Sequence, residues 1–482
     1  MEATGEPSNV VLITVDSLRA DALGAYDGGQ HTPVMDGIAE RGTVFEHAFA
    51  NGNWTPFSFP SMLASRPVFA DSDRVGIADS PSLASVLSEA GVATAGFNAA
   101  NGFLTSQWGY DEGFDEFEPF VASVGSSIYS RYLATHPTVE AWLQFAASPL
   151  RRIGSWLRRE TDARPFLDTS RMFDVEHAAQ SFLEDTSEPF FLWIHYMDAH
   201  TPYVPAPRYI RDVSSDLFGT HRMLHAHART GLGWEVGERT LADLRTLYQA
   251  AVRQIDASVG RVLETLSEAG VADETAVMLA GDHGEEFQDH GHLAHYPKLY
   301  DELIRVPLLV DVPGTPARRV DRQVGLDSIP PTVADLLSVD AHPAWEGHSL
   351  VPTLLDGEPP AEEPVVSITV RGEEVTSQPI PRSLDDGELL VSVRDREWTY
   401  IENVDTGATE LYHRPSDPTQ QDDRSADMTD EERRIVEDFA DIVDEHASRI
   451  RGGAAGSAEA GAETDAEVDD DLQTRLKALG YR

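Results

Sequence analysis

Between Asn9 and Val15 the chain reads NVVLITV, seven uncharged, largely β-branched residues that end on Asp16. So short and unbroken a run is the pattern of a strand covered on both faces in a parallel sheet. Similar runs recur at residues 92–97, 190–195, 275–280 and 306–310. Helical patterns lie between them. Thr32-Pro33 supplies an N-cap and first turn for a helix closed by Gly42, Ser82 opens a helix running to Ala90, and residues 241–269 carry apolar side chains at helical spacing. Strands alternating with helices predict an α/β domain with helices on both faces of its sheet. In such sheets ligands gather beyond the carboxyl ends of the strands, where Asp16, His195 and the pair Asp282-His283 all stand.

From about residue 362 the texture changes to short alternating strands at 365–370, 389–393 and 398–402, with turns at Asp385-Asp386-Gly387 and Thr406-Gly407. This predicts a small antiparallel β-subdomain. Thr429-x-x-Glu432 is a capping box before a helix whose Ile435, Val436, Phe439, Ile442 and Val443 form one apolar face. Residues 452–470 are low-complexity Ala, Gly, Glu and Asp, a composition that predicts disorder, and residues 472–481 regain amphipathic character. The expected organisation is an α/β domain over 1–360, a β-subdomain over 361–424, and a helix with an acidic tail over 425–482.

Charge sharpens this picture. Over 482 residues, 37 Lys and Arg face 82 Asp and Glu, a net charge of −45, which argues against nucleic-acid binding because phosphate neutralisation needs the opposite sign. Only two of the 37 cations are lysines, Lys298 and Lys477. Acid excess with lysine nearly eliminated resembles the composition of proteins from salt-accumulating halophilic archaea, in which carboxylates hold water and cations. With no cysteine, disulfides, thiolate metal sites and a Cys nucleophile are excluded. The first residues have no basic region before the first strand, and no apolar run approaches the roughly 18 residues of a membrane span. The expectation is a soluble, cytoplasmic enzyme.

Three segments carry candidate chemistry: Asp16 to Asp21 (DSLRAD), Asn53 to Leu63 (NWTPFSFPSML) and Gly281 to Glu286 (GDHGEE). A strand-end Asp serves either as a metal ligand or as a cap or salt-bridge partner. Adjacent Asp282 and His283 offer a hard oxygen and an imidazole to a divalent cation, with glycines on both sides allowing close approach.

Together, and with residues 9–66, 189–202 (PFFLWIHYMDAHTP), 248–266 and 280–307 (AGDHGEEFQDHGHLAHYPKLYDELIRVP), these segments resemble the sulfatase family of the alkaline phosphatase superfamily. The likeness extends through Glu410-Leu411-Tyr412 to about residue 423. It implies an alkaline-phosphatase-like three-layer sandwich with a mostly parallel sheet. It also implies that Asp16, Asp282 and His283 ligate metal, that His200 contacts the ester or its leaving group, and that Thr55 stands at the nucleophile position. A sulfatase has Cys or Ser there, in Cys/Ser-x-Pro-x-Arg, oxidised to formylglycine. Here the position is Thr and the Arg place is Phe59, so formylglycine is not expected. A Thr nucleophile resembles instead the phosphodiesterase, nucleotide pyrophosphatase and phosphoglycerol or phosphoethanolamine transferase branches. Coordination to the cation would lower the pKa of its hydroxyl.

A second departure is Ser17, where sulfatases carry another metal-binding Asp. Asp198, His200 and His295 offer a second metal site, so the cofactor is expected to be Ca2+, Mg2+ or Mn2+, or, for two metals, Zn2+ or Mn2+. His290 and His292 read as loop histidines. Lys298 stands within the same loop, where a compact ammonium would hold a non-bridging oxygen of the substrate. Arg151, Arg152, Arg158 and Arg159 lie on a basic amphipathic segment that either attracts an anion or pairs with neighbouring acids. Asp256 reads as orienting the site or capping a charge. The expected activity is hydrolysis of a small anionic ester, phosphate favoured over sulfate, through a covalent Thr55 intermediate. The alternatives are transfer of the phospho group to an acceptor alcohol and a non-catalytic binding role.

Overall fold

The computed structural model describes residues 7–26, 31–121, 171–186, 189–215, 220–231, 235–295, 297–371 and 381–460. The basic segment at 151–159 and the amphipathic end at 472–481 lie outside them. The first strand, β1 (Asn9–Val15), is buried at all seven positions. Val10 and Leu12 enter one hydrophobic cluster, while Val11, Ile13 and Val15 enter a second. A strand that feeds two cores must lie in the middle of three layers.

The sheet contains β2 (Thr43–Phe49), β3 (Ala93–Asn98), β4 (Glu116–Glu118), β5 (Phe190–Tyr196), β6 (Thr275–Gly281), β9 (Arg305–Asp311) and β10 (Arg318–Gly325) besides β1, in the order β10-β2-β9-β6-β1-β5-β3-β4. Every neighbouring pair is parallel except the two made by β9, which runs antiparallel to β2 and β6. The mostly parallel sandwich is therefore present. A two-stranded ribbon, β7 (Glu286–Phe287) with β8 (Leu293–Ala294), stands between β6 and β9.

One face of the sheet carries helices α1 (Pro33–Arg41), α4 (Met172–Asp185) and α5 (Glu238–Ala269), and the other carries α2 (Thr55–Ala64), α3 (Leu83–Glu89) and α6 (Ile329–Leu336). Ser82 caps α3 as expected, its hydroxyl accepting from the Ser85 amide at 3.1 Å. Thr32 stands at the N-cap of α1 without capping it. Asp256 of α5 takes that role, its Oδ1 accepting from the amides of Val34 (3.0 Å) and Met35 (2.8 Å). The charge-capping reading of Asp256 is the one realised.

Four antiparallel strands, β11 (Val365–Arg371), β12 (Glu388–Arg394), β13 (Trp398–Asn403) and β14 (Ala408–His413), form the smaller sheet. Helix α7 (Asp430–Ala460) packs Phe439, Val443, Ala447 and Ile450 into the same core. Thr429 and Glu432 exchange the expected capping bonds, at 2.7 and 3.2 Å. The helix continues to Ala460, into the stretch whose composition predicted disorder; the packing of its earlier turns sets the register that it continues. Among the described residues no helix is long and apolar enough to cross a membrane.

Candidate active site

Asp16 leaves β1 and Asp282 leaves β6, adjacent parallel strands, so both carboxylates emerge at the same sheet edge. Both are fully buried. Asp282 Oδ1 accepts from the amides of Ser17 (3.1 Å) and His283 (2.8 Å), which turns Oδ2 toward Thr55. Ser17 has φ 57°, a left-handed backbone rare for serine that aims its amide at Asp282. Its hydroxyl donates to Asp16 Oδ1 at 2.9 Å. The flanking glycines serve packing: a Cβ on Gly281 would come within 2.4 Å of the Leu18 carbonyl oxygen, and one on Gly284 within 2.0 Å of that of Glu302.

Thr55 is the first residue of α2, all ten of whose residues are buried. Its Oγ1 lies 3.0 Å from Asp282 Oδ2 and 3.3 Å from Asp16 Oδ2. The N-cap is Trp54, so the Thr55 hydroxyl is not used as a cap. The helix N-terminus favours negative charge on it. Asn101 Nδ2 donates to Asp16 Oδ2 at 3.1 Å and approaches Thr55 Oγ1 at 3.4 Å.

Asp16, His195 and Asp282 each place a ligand-capable atom within 4.8 Å of the others. His283 Nε2 lies 3.5 Å from Asp16 Oδ1 and 3.6 Å from Asp282 Oδ2. The Nε2 atoms of His195 and His283 are buried without a hydrogen-bond partner. Burial tends to raise the Asp16 carboxyl, but His200, His195 and His283 outweigh it and hold the group below its ordinary range. Asp282 goes the other way, pushed well up by burial and by the Asp16 charge. Burial brings the His283 imidazole down to about 4, so it is neutral and free to ligate. Two crowded carboxylates beside the unpartnered Nε2 atoms of His195 and His283 fit a divalent metal, whose charge would replace the proton that the carboxylate pair otherwise retains.

Next to this cluster runs a chain of hydrogen bonds. Tyr203 donates to Glu285 Oε1 (2.5 Å), His295 Nδ1 donates to Glu285 Oε2 (3.1 Å), and His295 Nε2 faces His200 Nε2 at 3.2 Å. His200 Nδ1 donates to the Thr201 carbonyl at 2.5 Å. Both rings therefore carry hydrogen on Nδ1, and one further proton is needed to join the two Nε2 atoms. Burial, reinforced by His295, lowers His200; for His295 the Glu285 carboxylate overcomes burial and raises the ring.

The sequence-based residues Asp16, Thr55, Asp282 and His283 thus meet, with His200 and His295 paired beside them. Two others have partners of their own. Asp198 accepts from Gln254 Nε2 at 2.8 Å, while His200 and His295 face each other through their Nε2 atoms. Lys298 Nζ donates to Glu410 Oε1 at 2.5 Å and lies over the Tyr300 ring; this carboxylate of β14 also accepts from Tyr300 and Tyr412. His290 is a loop histidine in structure too, bonded to Glu302 and stacked on Tyr300. Asn101 and Glu285 were not singled out by sequence. Asn101 stands three residues past the end of β3, and the strand-end rule applied to that strand would have reached it.

The family model described as Sulfatase matches residues 8–339. The choline-sulfatase of Rhizobium meliloti is 22% identical over 83% of this chain and 78% of its own length. The multifunctional alkaline phosphatase superfamily protein PehA of Trinickia caryophylli is 27% identical over 39% of this chain; that match spans 41% of PehA. Among solved structures, the phosphonate monoester hydrolase of Agrobacterium radiobacter superposes with a TM-score of 0.65 over 93% of this chain and 96% of its own, at 19% identity, a likeness of fold.

Proposed function

This chain belongs to the sulfatase family, and on that premise we propose that it hydrolyses phosphomonoesters or phosphodiesters in preference to sulfate esters, with Thr55 as the nucleophile. The observation that carries the reading is the Thr55 hydroxyl, buried at a helix N-terminus between two carboxylates, 3.0 and 3.3 Å away. A divalent cation held by Asp16, Asp282 and His283 would lower the pKa of that hydroxyl and offset charge on the transferring oxygens.

Thr55 Oγ1, deprotonated, forms a bond to phosphorus as the bond to the alcohol oxygen breaks. The departing oxygen takes the proton that His200 and His295 hold between them. Water then attacks the Thr55 ester, returns a proton to the histidine pair and frees Thr55. Asn101 keeps Asp16 and Thr55 in register through its amide. Glu285 fixes the His295 tautomer.

A panel of aryl sulfates, phosphomonoesters and phosphodiesters, assayed in molar KCl with Ca2+, Mg2+, Mn2+ and Zn2+, tests the reading. Phosphoesters should turn over faster than the aryl sulfate, and a marked preference for the sulfate would overturn the assignment.

A further inference from the structure

We infer that His195 is a second imidazole ligand of the metal site, beside His283, and that the site therefore selects Mn2+ or Zn2+ over Ca2+. The inference rests on the metal-dependent reading above. His195 occupies the penultimate position of β5, in register with Thr14 of β1 and Asn98 of β3, and is completely buried. Its Nδ1 lies 2.9 Å from Thr14 Oγ1. That hydroxyl gives its one hydrogen to the Ile194 carbonyl (3.3 Å) and accepts from Trp193 Nε1 (3.0 Å). With that hydrogen on Ile194, Thr14 accepts from His195 Nδ1, and this tautomer turns the Nε2 lone pair toward Asp16.

This lone pair has no hydrogen-bond partner and lies 3.8 Å from Asp16 Oδ2. The ring is held in place, with Phe59 edge-on to it at 5.1 Å and 90° and Trp193 at 6.4 Å. A buried nitrogen lone pair facing a carboxylate oxygen is unfavourable unless a cation lies between them. His283 repeats the arrangement: Nδ1 donates to the Gly284 carbonyl at 2.9 Å, and Nε2 faces the other oxygen of Asp16. An imidazole anchored through one nitrogen, with the other bare, is how a metal-bound histidine is held.

Ser17 contributes no competing oxygen, since its hydroxyl is turned onto Asp16. The donor set is two carboxylates, one hydroxyl and two imidazoles. Calcium takes six to eight oxygens, whereas imidazole suits Zn2+ and its transition-metal neighbours.

The test loads the full chain, labelled with 15N-histidine, with Mn2+ and counts directly bound nitrogens by electron spin-echo envelope modulation. Two are expected in the wild type, and one each in His195→Leu and His283→Leu. His195→Leu should weaken Mn2+ binding by at least about tenfold and Ca2+ binding by much less. A single bound nitrogen in the wild type, which needs no variant to fold, overturns the inference while leaving the metal-dependent reading intact. Failure of the wild type to bind any of Mn2+, Zn2+, Ca2+ and Mg2+ overturns both.

Discussion

Thr55 Oγ1 stands 3.0 Å from Asp282 Oδ2, and the opposite oxygen of that carboxylate is tied to two backbone amides, so the hydroxyl faces a group that cannot swing away. Replacing Thr55 by Ala should lower kcat by at least about 1000-fold, because the covalent route is lost. Thr55→Ser, which keeps the hydroxyl, should retain measurable turnover. Steady-state kinetics on a phosphodiester decides this, and an Ala variant within tenfold of the wild type would remove Thr55 from its role.

The crowding of Asp16 and Asp282 gives a prediction with opposite signs in two conditions. Without metal, folding must either protonate Asp282 or bury its charge beside Asp16; Asp282→Asn removes that cost and should raise the melting temperature. With Mn2+ at a hundred times its dissociation constant, the wild type should gain about 2.7 kcal/mol of stability, and Asp282→Asn should gain far less. Calorimetric melts with and without Mn2+ read both effects. Equal stabilisation of the two proteins would show that Asp282 does not hold the ion.

His446 of α7 is buried, and its Nδ1 accepts from Arg449 at 2.8 Å. Burial, aided by Arg449, lowers this imidazole from 6.5 to about 3. Between those values the unfolded chain binds a proton that the folded chain refuses. Stability should therefore fall as pH drops below 6.5, by at most about 1.4 kcal/mol per unit from this group. Urea unfolding at pH 7 and pH 5 should show a smaller loss in His446→Leu than in the wild type; parallel losses would exclude the group as a source.

Much of this architecture could be read from the chain. The bounds of β1 match the hydrophobic run residue for residue, and the strand-end rule pointed to Asp16, His195 and Asp282, whose ligand-capable atoms the fold brings within 4.8 Å of one another. The reversal of β9 could not be read, because a run buried on both faces looks the same in either direction. β10 escaped because RRVDRQVG is a polar edge strand. The single lysine of the active-site loop was visible, but its partner Glu410 lies 112 positions away, and no local pattern links the two. The Nε2 of His195 is defined by Thr14 on the neighbouring strand, which a one-dimensional reading does not bring beside it.

Asp256 should prove structural. Removing the α1 cap with Asp256→Ala should cost about 1–2 kcal/mol and leave Mn2+ affinity unchanged, as equilibrium unfolding and metal titration can check. A changed affinity would place Asp256 in the site.

The net charge of −45 predicts a salt response. Raising KCl from about 0.1 M to about 3 M shortens the Debye length from roughly 10 Å to below 3 Å and should raise the melting temperature. A melting temperature that falls with KCl would argue against adaptation to concentrated salt.

The Lys298–Glu410 pair has a practical corollary. Lys298 is the only lysine among the described residues, and its side chain is 18% exposed and ion-paired. Across those residues, reagents that acylate side-chain amines find one target, and that target holds β14 to the active-site loop. Its rate of acylation would therefore report how often this contact opens, without any introduced label.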